Sequence, residues 1–193
     1  MGNVFIFVKK YWLFFLIVLA FILFITSKFL EKTSQAPTSP SPATKKIASF
    51  GEISPGNTSI DKVNELLGFP VDTNKVDGKD VYDYETNNKY IHHKVIVENG
   101  IAKLVKEAVN IEDNKNADTI RGVYGLAPYV LYEQEPNSVF NLYVYPENGI
   151  TYLGHEDGTL LEIWYFEPTT IDSFISLWAQ NFSQKEFEGQ SRY

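Results

Sequence analysis

Residues 138–166 read SVFNLYVYPENGITYLGHEDGTLLEIWYF, and this stretch decides the fold. Three runs of β-branched and aromatic residues are separated by Asn148-Gly149 and Asp157-Gly158. Such dipeptides favour tight hairpins because both central residues tolerate positive φ. Strands that are joined by tight turns run antiparallel. The stretch therefore predicts three antiparallel strands, at 138–145, 149–155 and 159–166.

The same turn chemistry recurs upstream of this stretch. Asn99-Gly100 separates two runs of β-branched and aromatic residues, and Asp77-Gly78 is a weaker signal of the same kind. Strands are therefore predicted at 81–85, 90–97 and 101–107. Together with the downstream strands they predict an antiparallel sheet.

Two helices are indicated beside these strands. Thr58 and Asp61 have the spacing of a capping box, and apolar residues follow at helical spacing until Gly68 ends the pattern. Near the C-terminus, apolar residues recur at helical spacing after Thr170, which predicts an amphipathic helix at about 170–182. We expect this second helix to pack on the sheet rather than to be reserved for a partner.

The order of these elements occurs twice. Each copy has a short helix, a Gly, a Pro, a turn and then three strands. The matching positions are Val63, Leu66 and Gly68 with Ile120, Val123 and Gly125, 57 residues apart, and Pro70, Val81, Tyr82 and Gly100 with Pro128, Val139, Phe140 and Gly158, 58 residues apart. We predict an α+β domain of two tandem helix-plus-three-stranded-meander units, at about 53–110 and 111–168. The alternative is two unrelated α+β stretches that share turn residues by chance.

The N-terminal region carries a long uncharged segment, which reads YWLFFLIVLAFILFITS from Tyr11 to Ser27. With its flanks it has close to the roughly twenty apolar residues that a helix needs to cross a bilayer core of about 30 Å. We predict a cytoplasmic tail at 1–10 and a transmembrane helix at 11–30. The residues expected at the membrane interface are Lys9, Lys10, Tyr11 and Trp12. A cleaved signal peptide is disfavoured by the large residues that follow, and a buried globular helix is the third interpretation.

Composition changes after this segment. Residues 31–46 are rich in Ser, Thr and Pro, which predicts a semi-extended linker, and residues 47–193 have the size of one domain. Residues 1–46 hold six Lys and one Glu, a net charge of +5, so the remaining 11 basic and 23 acidic residues give 47–193 a net charge of −12. Such a domain repels phosphate backbones and anionic lipid, which argues against nucleic acid as a partner. The sequence has no Cys, which excludes disulfides and thiolate chemistry.

A family resemblance is carried by residues 53–70, which read ISPGNTSIDKVNELLGFP. This stretch resembles the G-x-[ST]…V…LG-x-P opening of the small outer-membrane lipoproteins of the SmpA/OmlA (BamE) type, and the sequences at 82–84 and 95–101 fit the strands that follow in that pattern. The tandem form resembles the β-lactamase-inhibitor-protein fold. The resemblance implies a non-enzymatic, envelope-facing binding module. This chain lacks the acylated cysteine of the lipoproteins, and no residue transfers barrel assembly or lactamase inhibition to it.

Catalytic and metal-binding patterns are weak in this sequence. His92, His93 and His155 are the only histidines, and the first two are neighbours in a predicted strand, so they point to opposite faces. We find no motif typical of a metal site, a phosphate loop or a nucleophile elbow. We therefore predict no cofactor, no metal and no enzymatic activity. The alternative is a hydrolase that uses His92 or His155 with a nearby carboxylate.

Aromatic residues are the best candidates for binding. Strands 138–145 and 159–166 carry large side chains on both faces, and one face has to pack on helices. The other face would expose Tyr and Trp, which supply much of the energy at protein interfaces. The predicted protein interface consists of Tyr143, Tyr145, Tyr152 and Trp164. The alternative is that the C-terminal helix, the partner repeat or a dimer mate covers the second face.

Together these features predict a single-pass protein of the cell membrane. The leading tail is short, which favours a C-terminal domain outside the cytoplasm. The predicted function is protein binding or envelope assembly, with a likewise envelope-located protein as the partner. A stalked structural domain with no specific ligand is a further alternative, and it predicts a sheet that is covered on both faces.

Overall fold

The structure is a computed structural model that describes residues 45–136 and 138–187. Within these ranges it is an α+β domain with an antiparallel sheet, as predicted. The helices are α1 (Ile60–Leu67), α2 (Ala117–Tyr124) and α3 (Ile171–Trp178). The strands are β1 (Asp72–Val76), β2 (Lys79–Glu85), β3 (His92–Glu98), β4 (Ile101–Ala108), β5 (Tyr129–Glu133), β6 (Asn141–Tyr145), β7 (Ile150–Gly154), β8 (Leu160–Phe166) and β9 (Phe182–Ser183).

All of these strands form one sheet in the order β1-β2-β3-β4-β8-β7-β6-β5-β9, and every neighbouring pair is antiparallel. The chain makes a helix and then a four-stranded meander twice, first α1 with β1 to β4 and then α2 with β5 to β8. The six predicted strands are confirmed, but the prediction of three strands in each unit is wrong by one. β1 escapes prediction because its residues are exposed and mostly polar, and β5 because no tight-turn dipeptide links it to β6.

The predicted turns lie between neighbouring strands. Asp77-Gly78 has φ values of 51° and 79°, and Asn99-Gly100 has values of 51° and 75°. Two consecutive positive φ values are what a type I′ hairpin requires. At Gly149, where φ is 70°, a Cβ would lie 2.3 Å from the carbonyl oxygen of Phe166, so this turn requires glycine.

Helix α1 is capped by a different residue from the one predicted. Its N-cap is Ser59, whose hydroxyl accepts a hydrogen bond from the backbone N–H of Lys62 at 3.3 Å. The Thr58 hydroxyl instead accepts from the backbone N–H of Ser54 at 2.9 Å, which closes the preceding turn. The predicted capping box at Thr58 is therefore wrong by one residue.

Helix α3 begins after Thr170, whose hydroxyl accepts from the backbone N–H of Ser173 at 3.3 Å. It ends at Trp178, four residues before the predicted boundary at 182. Phe182 belongs to β9, which pairs with β5. The chain therefore leaves the helix in order to add a short strand to the sheet.

The helices lie on opposite faces of the sheet. Val105 on β4 belongs to the buried cluster under α1, whereas its neighbour Leu104 belongs to the cluster that contains Phe174 of α3. Adjacent residues of a strand point to opposite sides, so α1 and α3 are on opposite faces. Helix α2 lies on the same face as α1, where Ile120 packs with Ile163 of β8. We call the face under α1 and α2 the front face, and the face under α3 the back face.

The two meanders meet where β4 pairs with β8. Lys106 faces Trp164 at the centre of this pairing, and Leu104 faces Phe166. The Lys106 Nζ atom lies 3.7 Å from the centroid of the Trp164 ring, which is a cation–π contact. Burial lowers the pKa of Lys106, and the nearby Glu162 carboxylate opposes this shift.

The two halves repeat the same contact between helix and hairpin. The backbone N–H of Ile60, the first residue of α1, donates to the carbonyl oxygen of Gly100 at 2.9 Å. The backbone N–H of Ala117, the first residue of α2, donates to the carbonyl oxygen of Gly158 at 3.4 Å. The two helices begin 57 residues apart, which is the spacing of the predicted repeat.

Each half also has a β-bulge at the same place in its last strand. Lys103 in β4 and Leu161 in β8 have no partner in the neighbouring strand of the meander. A bulge inserts one residue and increases the local twist of the strand. The shared bulge shows that the two meanders follow the same local backbone path.

A buried tyrosine on the second strand of each meander bonds the helix region of the same half. The Tyr84 hydroxyl donates to Oδ1 of Asn64 at 2.8 Å, and the Tyr145 hydroxyl donates to the carbonyl oxygen of Gly125 at 2.8 Å. Burial raises the pKa of each of these two tyrosines to about 12. The pair therefore has the same structural role in the two halves.

The predicted N-terminal segments lie outside the described residues, apart from the last two linker positions, 45 and 46. These segments are the tail at 1–10 and the transmembrane segment at 11–30. The predicted membrane-interface residues that fall in them are Lys9, Lys10, Tyr11 and Trp12. Among residues 45–136 and 138–187, no helix is long and apolar enough to cross a membrane.

We predict that Tyr84→Phe and Tyr145→Phe each destabilise the domain by about 1–2 kcal/mol, because each leaves a hydrogen-bond acceptor without its donor. Urea unfolding followed by circular dichroism measures this difference. Tyr90→Phe is the matched control, since the Tyr90 side chain is 80% exposed and its loss of a hydroxyl should cost less than about 0.5 kcal/mol. A large loss for only one of the two buried tyrosines would contradict their equivalence.

Candidate functional site

The four predicted interface residues do not form one surface. In the strand register Tyr143 lies beside Tyr152, and Tyr152 lies beside Ile163, so these side chains and Tyr145 are on the front face. Trp164 is on the back face. Alternation along one strand cannot show which residues of the next strand share its face, because the register decides that.

Three of the four residues are also buried. Tyr145 and Tyr152 pack beneath α2, and the half-buried Tyr143 ring stacks on Tyr152 with centroids 4.7 Å apart. Trp164 is covered by α3, and its ring centroid lies 6.4 Å from that of Phe174. The predicted exposure of Tyr145, Tyr152 and Trp164 is therefore wrong. For Trp164 the alternative that the C-terminal helix covers the sheet is the correct one.

Helix α3 covers only part of the back face. Its apolar side packs on residues of the second half, including Leu142 and Phe166. Its C-terminal end reaches β2, where Lys79 Nζ lies 4.1 Å from the Trp178 ring centroid and donates to the carbonyl oxygen of Leu177 at 3.4 Å. Beyond this contact, β1 is exposed along its whole length. Within the described residues, the sheet is therefore not covered on both faces.

The part of the back face beside α3 is polar. The register places Asp72, Asp83 and Lys94 in one row across β1, β2 and β3. Lys94 Nζ binds the two carboxylate oxygens of Asp83 at 3.0 and 3.3 Å. Asp72 and Asn74 are exposed on β1, and His92 is half-buried on β3. We call the surface formed by Asp72, Asn74, Asp83, His92 and Lys94 the open patch.

The open patch escapes the sequence prediction because β1 does. The residues Asp72–Val76 have no apolar alternation, so the pattern of a half-buried strand is missing there. The signal that could reveal this strand is Asp77-Gly78, since a hairpin turn needs a strand on each side.

A second polar site lies on the front face. A cleft of about 470 Å³ is lined by residues that include Phe50, Glu85, Thr86, His93, Asp113 and Lys115. The buried Glu107 carboxylate pairs with Lys115 and accepts a hydrogen bond from the Tyr165 hydroxyl at 2.8 Å. Burial, together with this carboxylate, raises the pKa of Tyr165 far above its ordinary value. The charged form of Glu107 is thus held by partners within the domain.

His93 is the histidine of this cleft. Its Nδ1 atom accepts a hydrogen bond from the backbone N–H of Ala108 at 3.2 Å, so the neutral ring carries its proton on Nε2. Burial lowers the pKa of His93, the carboxylates of Glu107 and Asp113 oppose this shift, and Lys115 adds to it. The ring is therefore held in its neutral form near pH 7.

The cleft does not have the arrangement that nucleophilic catalysis needs. The Thr86 hydroxyl donates to two backbone carbonyl oxygens, both at 2.9 Å, rather than to His93. His92 points to the back face, opposite His93, as predicted, and His155 pairs with Asp157 at 3.2 Å within one turn. Among the described side chains, no group of three or more His, Cys, Asp or Glu could hold a metal ion.

Comparisons with known proteins give little beyond the fold. No family model matches the chain, and no curated protein matches it. Among solved structures, it is similar to a DUF4309 family protein (YjgB) from Bacillus subtilis, with 12% identity and a TM-score of 0.45 over 64% of this chain and 88% of that one. It is also similar to a cysteine-rich secretory protein from Staphylococcus aureus, with 12% identity and a TM-score of 0.43 over 72% of this chain and 50% of that one.

We predict that the domain loses stability as the pH falls below about 6.5. Because the pKa of His93 lies below its ordinary value of 6.5 in the folded state, the unfolded chain takes up this proton first, and folding is penalised at acidic pH. His93→Asn should remove this part of the pH dependence while Oδ1 replaces Nδ1 as the acceptor. Urea midpoints at about pH 7.5 and 5.5 measure the effect.

His92→Asn is the control for this measurement. It changes the neighbouring residue on the opposite face and keeps His93, so it should keep the pH dependence of the unmodified protein. An equal loss of stability in His93→Asn and in the unmodified protein would show that other groups cause the effect.

Proposed function

We propose that this protein is a single-pass membrane protein whose acidic domain lies outside the cytoplasm and binds a protein partner without catalysing a reaction. In this proposal residues 11–30 hold the chain in the bilayer, and residues 31–46 act as the linker. The open patch is the surface that we assign to the partner.

Support for the anchor and for the general role comes from the sequence. The uncharged segment from Tyr11 to Ser27 has the length and composition of a membrane-spanning helix, and it is followed by a Pro-rich linker and a folded domain. The resemblance to envelope lipoproteins and to β-lactamase inhibitor proteins favours a binding role over a catalytic one.

The observation that carries the binding role is the incomplete cover of the back face by α3. Strand β1 is exposed, and its neighbour β2 contacts α3 only at Lys79 in the contacts described above. The side chains of the open patch stand on paired strands, so their spacing is fixed before a partner arrives. A rigid surface loses less conformational entropy on binding than a mobile loop.

Charge favours a partner with a basic surface. The open patch contains two carboxylates and one lysine, and that lysine is already paired with Asp83. The domain also has the net charge of −12 that was counted above from the sequence. Complementary charge speeds the encounter of two proteins, and salt weakens this effect.

The front-face cleft favours the non-enzymatic proposal over the hydrolase. Its carboxylate Glu107 is taken up by Lys115 and Tyr165, and its histidine accepts a hydrogen bond from the backbone. Neither group is directed at a hydroxyl that it could activate. The contacts of this cleft are those of a buried structural network.

The experiment is site-specific photo-cross-linking of the full chain in intact cells. A photoreactive amino acid at Asn74 should yield a discrete cross-linked protein, and the yield should fall several-fold when the salt concentration is raised. The same amino acid at Thr73 is the matched control. Thr73 is the adjacent exposed residue on β1, but it pairs with Tyr82 and so points to the front face.

The two positions separate the possible results. A product at 74 that is absent or several-fold weaker at 73 supports recognition by the open patch. Equal products at both positions indicate nonspecific collision, and the absence of any product at 74 contradicts the proposal. Loss of the product in an Asp72→Lys variant would confirm that charge contributes to recognition.

A further inference from the structure

Each half of the domain exposes one large apolar side chain at the corner that follows its helix. Phe69 follows Gly68, which ends α1, and Leu126 follows Gly125, which ends α2. The Phe69 side chain is 89% exposed and the Leu126 side chain is 84% exposed. The two corners occupy equivalent positions in the repeat, 57 residues apart. Removing such side chains from water is favourable, so their exposure in both halves calls for an explanation.

Only the Leu126 corner lies beside the point where the described chain begins. Lys46 Nζ lies 5.9 Å from the ring centroid of Tyr124, the last residue of α2. Lys45 and Tyr129 line one cleft of about 410 Å³. Val123 and Tyr129 are also exposed near Leu126 in sequence. We call the surface formed by Val123, Leu126 and Tyr129 the tether corner.

We propose that the tether corner docks on the surface of the lipid bilayer that holds the N-terminal segment. This inference rests on the proposed anchor. Residue 45 continues directly into the linker and then into the uncharged segment at 11–27, so the anchor keeps this corner near lipid. The linker at 31–46 is long enough to permit contact, since a Pro-rich chain extends by about 3.1 Å per residue.

The composition of the tether corner suits the interfacial zone of a bilayer. Leu126 and Val123 supply apolar surface, and Tyr129 is of the amphipathic type that is enriched at membrane interfaces. Lys45 is paired with Glu147 at 3.1 Å, so much of the charge beside the corner is neutralised. Docking through this corner should therefore occur on neutral lipid as well as on anionic lipid.

The tether makes a small apolar surface sufficient. Three side chains would bind a membrane weakly if the domain diffused freely. Anchoring converts docking into an intramolecular step with a high effective concentration, so a weak contact becomes populated. The Phe69 corner has the same exposure, but it lies next to α1 and has none of the contacts that link the Leu126 corner to Lys45 and Lys46.

The experiment uses the absence of cysteine in the sequence, which allows a single introduced thiol to be labelled. The full chain is prepared as Leu126→Cys and, as the matched control, as Phe69→Cys. Each variant is labelled with a polarity-sensitive fluorophore and reconstituted in phosphatidylcholine vesicles that carry a nitroxide quencher on the lipid. The label at 126 should shift its emission to the blue and be quenched at least several-fold more strongly than the label at 69.

Alkaline extraction of the same vesicles separates the two proposals. If the chain stays with the lipid and the labels at 126 and 69 are equally accessible to water, the docking inference is overturned and the anchor stands. If the chain is released, the anchor and the docking inference both fail. If the label at 126 is quenched only with anionic lipid, docking through apolar contact is overturned in favour of attraction by Lys45 and Lys46.

Discussion

The pairing of β4 with β8 is the contact on which the rest of the structure depends. It joins two four-stranded meanders into one sheet and lets their cores run across the junction. Leu104 of the first half is buried with Phe174 of the last helix, and Tyr165 of the second half packs against the clusters under both α1 and α2. A single helix on four strands has little apolar surface to bury, so each half gains much of its stability from the other.

Local chemistry made the elements of this fold predictable, and register did not. Asn99-Gly100 and the apolar runs around it identify a hairpin because both signals lie within a few residues. Strand β1 and the open patch escape prediction because Asp72 and Asn74 belong to a strand that has no buried face to mark it. The proposed interface at Tyr143 and Trp164 fails for a different reason. Their relative placement depends on how β6, β7 and β8 align, and alternation within each strand leaves that alignment undetermined.

The two halves have similar backbones but different surroundings. Helix α3 covers the back face of the second half and leaves the open patch on the first, and the described chain begins beside α2 rather than beside α1. The same backbone plan can therefore serve two purposes in one domain. In the proposals made above, the second half contacts lipid and the first half is presented to a partner.

The contact between Lys106 and Trp164 lies where the local twofold relation of the two halves maps one strand onto the other. In a homodimer of identical units, the residue at this position would face its own counterpart, lysine against lysine or tryptophan against tryptophan. A polypeptide that encodes both units separately is released from that restriction, and a cation can sit on an indole. Fusion thus gives this junction a heterotypic complementarity, which fixes which two edges associate and disfavours the exchange of one unit between molecules.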